Sequence, residues 1–133
     1  MNLDMNLKEF KETTSRENKN TVAVDFDGVI HRNSKGFHDG TIYDKPVNGV
    51  KNSLEYLSKS CKLVVYSCKA NPKRPLVDGK TGIELIWEWL NKYNLEKYID
   101  DVTYYKPNAK YYIDDKAIRF ISWDQTIGEI NAP

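Results

Sequence analysis

Short apolar runs separated by polar, turn-rich stretches predict a sheet of about five strands. The first run, TVAV at residues 21–24, is β-branched and apolar, which is typical of a buried strand. Four further runs have the same character and complete the set of strand candidates: residues 63–66, 102–105, 111–113 and 118–121. The chain up to residue 20 is mostly polar. We expect a weakly ordered leader over residues 1–20 that is dispensable for chemistry, followed by a single domain over residues 21–133.

Apolar residues at helical spacing predict two helices between these strands. Val50, Leu54 and Leu57 mark one face of a helix over about residues 47–59. Residues 81–84 (TGIE) have the form of a capping box, which predicts that a second helix begins there. Strands that alternate with helices favour an α/β fold with a mainly parallel sheet that is covered on its faces. In such sheets, binding sites form at the carboxyl ends of the strands.

Charge and composition narrow the class of protein. The 20 basic and 19 acidic residues give a formal net charge of +1, so no overall field argues for nucleic acid or a membrane surface as the partner. No apolar run approaches the ~18 residues of a membrane span, and the amino terminus is too polar for a secretory signal. Cys61 and Cys68 are spaced as neither a zinc pair nor a redox motif. We therefore expect a cytoplasmic protein that does not bind membranes.

The hydrophilic residues that follow the predicted strands are the candidates for chemistry. Six of them follow four strands in turn: Asp25 and Asp27, then Ser67, then Lys106, then Asp114 and Asp115. Parallel strands bring all six to one edge of the sheet. Clustered carboxylates repel one another at low dielectric and call for a cation. Because the ligands are all oxygens, we expect a hard ion, namely Mg²⁺.

This combination of groups suits the transfer of a phosphoryl group. A metal ion, an ammonium group and a hydroxyl that converge on one point make a receptor for phosphate. A carboxylate beside the phosphate can act as nucleophile and form an aspartyl-phosphate. The second acid, displaced by the turn at Gly28, can protonate the leaving oxygen and then activate water.

Four motifs of the chain resemble those of the haloacid dehalogenase (HAD) superfamily, in the same order. They are DFDGVI at residues 25–30, the serine that ends LVVYS, the lysine of YYKP and the acidic pair of YYIDD. The resemblance covers about residues 21–123. It implies a Rossmann-like three-layer α/β/α sandwich with strand order 5-4-1-2-3. The two places where relatives insert a cap domain hold only a flap of about sixteen residues, 31–46, and a loop with one helix. The chain is therefore similar to small capless members from bacteria and phages.

The resemblance also implies a role for each matching residue of the catalytic group. Asp25 would be the nucleophile and a Mg²⁺ ligand. Asp27 would be the general acid and base, and its backbone carbonyl would also contact the metal. Ser67 would hydrogen-bond the transferring phosphoryl group, while Lys106 would hold the phosphate and offset the charge of Asp25. Lys110 is a rival for this last role, and we prefer Lys106 because it directly follows the apolar run.

For the metal site, the resemblance implies that Asp114 is a direct Mg²⁺ ligand. Asp115 would ligate through water or steer a ligand. The pair could instead cap a helix that begins at Lys116, and the two interpretations are compatible because one carboxylate can do each job.

Loops beside the predicted site supply candidate substrate contacts. Besides Gly28 these are His31 in the flap and Lys69, Lys73 and Arg74 in the loop after Ser67. For His31 the first interpretation is a solvated loop histidine, and a substrate contact is the second. In the loop over residues 69–80, basic residues outnumber acidic ones by three. Such runs are usually solvated, but this one should overhang the site.

Together these patterns predict a Mg²⁺-dependent phosphohydrolase that acts on phosphomonoesters in an open site. The basic loop supports one alternative, a nucleotide phosphatase or a 3′-phosphatase of nucleic-acid ends. Another alternative is a HAD-fold binding or regulatory protein with negligible turnover, although the intact Asp25 and Asp27 argue against it. A homo-oligomer, in which a neighbouring subunit lends a lid, is a further expectation. The order of the motifs excludes the response-regulator receivers, in which the acidic pair comes first and the lysine last.

Overall fold

A sheet of four parallel strands forms the centre of the computed structural model, which describes residues 20–133. The strands are β1 (Asn20–Asp25), β2 (Cys61–Tyr66), β3 (Asp101–Thr103) and β4 (Tyr111–Ile113). They lie in the order β3-β2-β1-β4, and all three pairings are parallel. The predicted α/β class and the relative order of the first four predicted strands are therefore confirmed. The predicted leader lies outside the described residues, except for Asn20, which begins β1.

In the described residues, three α-helices accompany the sheet: α1 (Val50–Ser58), α2 (Gly82–Lys92) and α3 (Trp123–Asn131). The first two were predicted, and α2 begins as the capping box requires, since Thr81 Oγ1 accepts the backbone N–H of Glu84 at 3.2 Å. The third was missed. Its amino-terminal signal has the same form, with Ser122 Oγ accepting the backbone N–H of Gln125 at 3.2 Å. None of the helices within residues 20–133 is long and apolar enough to cross a membrane.

The hydrophobic core joins the three strands β1, β2 and β3 to α1 and α2. Val24 and Val65 are paired across the sheet and are buried, as are Leu54 of α1 and Ile86 of α2. Burying a side chain of this kind contributes roughly 1.5–3 kcal/mol. Since the core underlies β1 and β2, the residues that follow these two strands are held on a rigid support.

The fifth predicted strand, at residues 118–121, is wrong. This segment has no regular secondary structure, and Ile118, Phe120 and Ile121 are 39%, 58% and 65% exposed. A short apolar run has the composition of a buried strand whether or not another strand pairs with it. In the described part of the chain no strand pairs with the outer edge of β4, so the sheet has four strands rather than five.

Candidate active site

The register of the sheet brings Asp25 and Asp114 side by side. Val24 pairs with Val65 on one side and with Ile113 on the other, so the next residues of the three strands follow in one row. Asp25, Asp114 and Asp115 each offer a carboxylate oxygen, and these atoms all lie within 4.8 Å of one another. Three of the four predicted metal-binding residues therefore meet at the carboxyl edge of the sheet.

In this acidic cluster, the charges of Asp114 and Asp115 disfavour the ionisation of Asp25. Burial first, and then the charges of Asp114 and Asp115, together raise the pKa of Asp25 from its ordinary 3.8 to about 6. A nearby cation would relieve both the desolvation and the repulsion. The donor set consists of oxygens alone and is spaced for a shared ion, which fits a hard divalent cation.

Asp114 is oriented by two hydrogen bonds, one on each oxygen. Its Oδ1 accepts the backbone N–H of Lys116 at 2.8 Å, and its Oδ2 accepts the hydroxyl of Tyr66 at 3.0 Å. The bond from Lys116 is the main reason that the pKa of Asp114 is held below its usual value, and burial opposes it only in part. Asp114 thus caps a turn, but no helix begins at Lys116. Tyr66, which the sequence did not single out, orients the carboxylate of Asp114 that faces Asp25.

Gly28 lies against the acidic cluster, where a residue with a side chain would not fit. Its φ is +87°, which favours glycine, and a Cβ at this position would overlap Asp115 Oδ2. Its backbone N–H donates to the carbonyl of His31 at 2.8 Å, which closes the turn after β1. The predicted substrate contact at Gly28 stays a prediction.

Asp27 lies apart from the acidic cluster and has its own partners. Its Oδ1 accepts two hydrogen bonds, from Lys69 Nζ at 3.0 Å and from His31 Nδ1 at 2.9 Å. Burial opposes ionisation of Asp27, but the bonds from His31 and Lys69 outweigh it and hold the pKa below its usual value. The Asp27 carboxylate is therefore kept ionised beside Asp25, and the implied metal contact through its backbone carbonyl stays a prediction.

The first interpretation of His31, a solvated loop histidine, is wrong. The side chain is 0% exposed, stacks on Phe26 with ring centroids 5.5 Å apart and meets Trp89 edge-on. The flap folds back over it, so that the backbone N–H of Asp44 donates to Nε2 at 2.9 Å. Since Nε2 accepts, the proton of the neutral ring is on Nδ1, which donates to Asp27.

Lys69 is buried rather than part of a solvated basic run. It is 1% exposed, and its ammonium group donates both to Asp27 and to the carbonyl of Thr41 at 3.0 Å. The reason is its position in a one-turn 3₁₀ helix, Cys68–Ala70, which directly follows β2 and turns the side chain under the flap. A lysine two residues after a strand-end serine, with a histidine four residues after Asp27, was the signal available in the sequence.

The rest of the basic loop is also largely engaged with protein groups. Lys80 forms a salt bridge with Glu88, and Arg74 Nη2 donates to the carbonyl of Gly40 at 3.1 Å. Lys73 is exposed. These contacts leave less free positive charge over the site than the loop's composition indicated.

Ser67 directly follows β2 as predicted, whereas Lys106 lies three residues beyond the end of β3, because that strand ends at Thr103 and not at residue 105. Ser67 is buried, its backbone N–H donates to the carbonyl of Thr103 at 3.0 Å, and its Oγ accepts the backbone N–H of Lys69 at 3.1 Å. The hydroxyl proton of Ser67 is thus left to donate elsewhere. Lys106 is exposed, its Nζ lies 4.3 Å from the ring centroid of Tyr112, and its charge helps to lower the pKa of Asp114.

Lys110 lies at the amino-terminal ends of the strands, whereas the acidic cluster lies at their carboxyl ends. Its backbone N–H donates at 2.9 Å to the carbonyl of Thr21, near the start of β1, and its Nζ lies 5.7 Å from the ring centroid of Tyr111. Asp114 is the fourth residue after Lys110 along this extended chain, a span of roughly 13 Å. The placement favours Lys106 over Lys110 as the lysine near the acidic cluster.

Comparison of the chain with protein-family models, with curated proteins and with solved structures finds no match in any of the three. The functional argument therefore rests on the residues of the site.

Proposed function

We propose that this protein is a Mg²⁺-dependent phosphohydrolase that uses Asp25 as its nucleophile. One observation carries the proposal, namely that the carboxylates of Asp25, Asp114 and Asp115 converge within 4.8 Å at the carboxyl edge of a parallel sheet. Asp27 lies close enough to Asp25 for its charge to raise the pKa of Asp25. The site thus offers a nucleophile, a candidate proton carrier and a cation-binding cluster.

The acidic cluster would hold the metal ion. Asp25 and Asp114 would be direct ligands, and Asp115 would bind through water or orient a ligand. When bound, Mg²⁺ would neutralise the crowded carboxylates and stabilise negative charge on the transferring phosphoryl group. Ser67 would donate its hydroxyl to a phosphoryl oxygen, and Lys106 would add a positive charge there.

In the first step an oxygen of Asp25 attacks phosphorus and the bond to the leaving oxygen breaks. The leaving oxygen takes the electron pair; where it also needs a proton, Asp27 must first bind one from solvent, since its carboxylate is ionised at rest, and then pass it on. In the second step water attacks phosphorus and gives a proton to Asp27. The bond between phosphorus and Asp25 breaks, inorganic phosphate forms, and the Asp25 carboxylate is regenerated.

The finer description of the fold belongs to the same proposal. We infer a Rossmann-like three-layer sandwich of the HAD type without a cap, located in the cytoplasm and acting on phosphomonoesters. The strand order β3-β2-β1-β4, with acids after β1 and β4 and a serine after β2, supports it. A nucleotide or nucleic-acid substrate stays a prediction, because Lys69 and Lys80 of the basic loop both pair with carboxylates.

Trapping the covalent intermediate tests the proposal. Asp27→Asn should stall the second step, so that acid quenching with p-nitrophenyl phosphate and Mg²⁺ leaves one phosphoryl group on the peptide that contains Asp25. The double variant with Asp25→Asn should carry none. A phosphoryl group on another peptide, or an unchanged hydrolysis rate in Asp25→Asn alone, would overturn the nucleophile assignment.

A further inference from the structure

One oxygen of Asp27 is fully committed to two buried donors, whereas the other is not. Lys69 and His31 are 1% and 0% exposed, and both donate to Oδ1. Within residues 20–133 no hydrogen bond is made to Oδ2. Asp27 is thus held through Oδ1, and Oδ2 remains available for a proton transfer.

The ammonium group of Lys69, one of the two donors that hold Asp27, is costly to bury. An ammonium group taken out of water loses several kcal/mol of hydration, which only good partners can offset. Lys69 has two such partners, Asp27 Oδ1 and the carbonyl of Thr41, both at 3.0 Å. Its backbone is fixed as well, because α2 begins at Gly82, where a Cβ would overlap the carbonyl oxygen of Lys69. The ammonium group therefore has little freedom to move.

His31 is held from the other side by the flap. The backbone N–H of Asp44 donates to its Nε2 at 2.9 Å, and the carbonyl of Asp44 accepts the indole N–H of Trp89, also at 2.9 Å. This chain of bonds fixes the ring orientation and the tautomer that donates to Asp27. Lys69 and His31 lie on different segments of the chain, so each of the two segments independently fixes the position of the Asp27 carboxylate.

We propose that Lys69 and His31 are positioning residues that hold Asp27 through Oδ1, so that Oδ2 meets the water which hydrolyses the aspartyl-phosphate. This inference rests on the proposed function, and it concerns the second step above all. Misplacing a catalytic group by about 1 Å can lower a rate by ~10²-fold. A leaving group such as p-nitrophenolate departs without a proton, so the first step with that substrate does not need Asp27.

The test measures the two steps separately with p-nitrophenyl phosphate and Mg²⁺. In Lys69→Met, kcat should fall by ~10²-fold and KM should fall in proportion, because the aspartyl-phosphate accumulates. The ratio kcat/KM, which reports only the steps up to phosphorylation, should stay unchanged. A burst of one p-nitrophenolate per site should precede the steady state. Lys59→Met, which removes an exposed ammonium at the end of α1, should reproduce the kcat, the KM and the progress curve of wild type.

A second variant protects the test against a simple loss of structure. Lys69→Ala lacks the three carbons and the ammonium group of propylammonium, so added propylamine should restore kcat, whereas propanol should not. A fall in kcat/KM that equals the fall in kcat, without a burst, would overturn the positioning role, as would failure of propylamine to rescue a folded Lys69→Ala. If wild-type protein itself shows no turnover that needs Mg²⁺ and Asp25, the proposed function fails first, and this inference fails with it.

Discussion

The Asp115 carboxylate occupies the space that a side chain at Gly28 would need. A Cβ at position 28 would overlap Asp115 Oδ2, and the φ of +87° at Gly28 is itself unfavourable for other residues. The turn after β1 and the end of β4 therefore approach each other at this point. The position of Asp115 in the acidic cluster depends on the absence of a side chain at residue 28.

Gly28→Ala should disturb both the fold and the acidic cluster. We expect the free energy of unfolding to fall by about 1–3 kcal/mol from backbone strain and overlap, and the affinity for Mg²⁺ to fall because Asp115 is displaced. Urea unfolding and calorimetric titration with Mg²⁺ measure the two effects. Gly36→Ala is the matched control, since its φ is +68° but nothing lies near its Cβ. It should lose some stability and keep its Mg²⁺ affinity, and equal Mg²⁺ affinities in all three proteins would contradict the role of Gly28.

The raised pKa of Asp25 predicts how stability depends on pH without metal. A folded pKa of about 6, above the ordinary 3.8, means that the folded state binds this proton more tightly than the unfolded state. The contribution of Asp25 to stability is therefore greatest below pH 3.8, declines as the pH rises towards 6, and stays low above it. Asp25→Asn should raise the melting temperature of the metal-free protein at pH 7.5 relative to wild type, and should not raise it at pH 4.

The ionisation of Asp25 also predicts how Mg²⁺ changes the melting temperature at different pH values. Mg²⁺ binds the ionised carboxylates, so it should raise the melting temperature of wild-type protein clearly at pH 7.5 and only weakly at pH 5. Asp25→Asn should lose most of this shift, whereas Glu55→Gln, on the exposed side of α1, should keep it. Melting curves with and without Mg²⁺ at both pH values are sufficient. A shift of equal size in Asp25→Asn would show that the ion binds elsewhere.

Tyr66→Phe should weaken the proposed metal site while leaving the core intact. The change removes the hydroxyl that donates to Asp114 Oδ2 at 3.0 Å and keeps the ring. Losing a hydrogen bond that orients a ligand lowers metal affinity by about 10- to 100-fold. Titration with Mg²⁺ measures the loss, and Tyr56→Phe on exposed α1 is the control. Undiminished affinity in Tyr66→Phe would mean that Asp114 does not need this bond to face the ion.

Kinetics should distinguish Lys106 from Lys110 as the lysine that holds the phosphate. Lys106→Met should lower kcat/KM for p-nitrophenyl phosphate, since its charge lies near Asp114. Lys110→Met should leave it unchanged, because Lys110 lies near the opposite edge of the sheet. Steady-state kinetics of the two variants decide the assignment. A larger loss in Lys110→Met would reverse it.

Most of the elements could be predicted because their signals are local, whereas the order of the strands was only implied by the resemblance to the HAD superfamily. Continuous apolar runs marked β1 and β2, helical spacing and a capping box marked α1 and α2, and the acidic cluster followed from the rule that parallel strands end at one edge. The prediction of a strand at residues 118–121 was wrong because apolar composition does not reveal whether a partner strand lies beside the segment. The helix α3 was missed, although its Ser122 cap resembles the Thr81 cap of α2.

The surroundings of Asp27 could not be predicted, because they depend on contacts between distant segments. Lys69 is 42 residues from Asp27 in the chain, and the flap must fold back before Asp44 can reach His31. A lysine in a loop and a histidine in a flap are usually solvated, and only the tertiary structure buries them. The predicted substrate contacts at His31 and Lys69 are accordingly replaced by contacts with Asp27.

Hydrolysis of p-nitrophenyl phosphate, measured with Mg²⁺ and with EDTA for wild type and for Asp25→Asn, tests the central claim most directly. The account predicts turnover by wild type that requires Mg²⁺ and is abolished by EDTA. It also predicts that Asp25→Asn is folded, by circular dichroism, and inactive. Turnover that persists in EDTA, or a folded Asp25→Asn variant with the wild-type rate, would contradict the claim that Asp25 and a bound Mg²⁺ carry out the reaction.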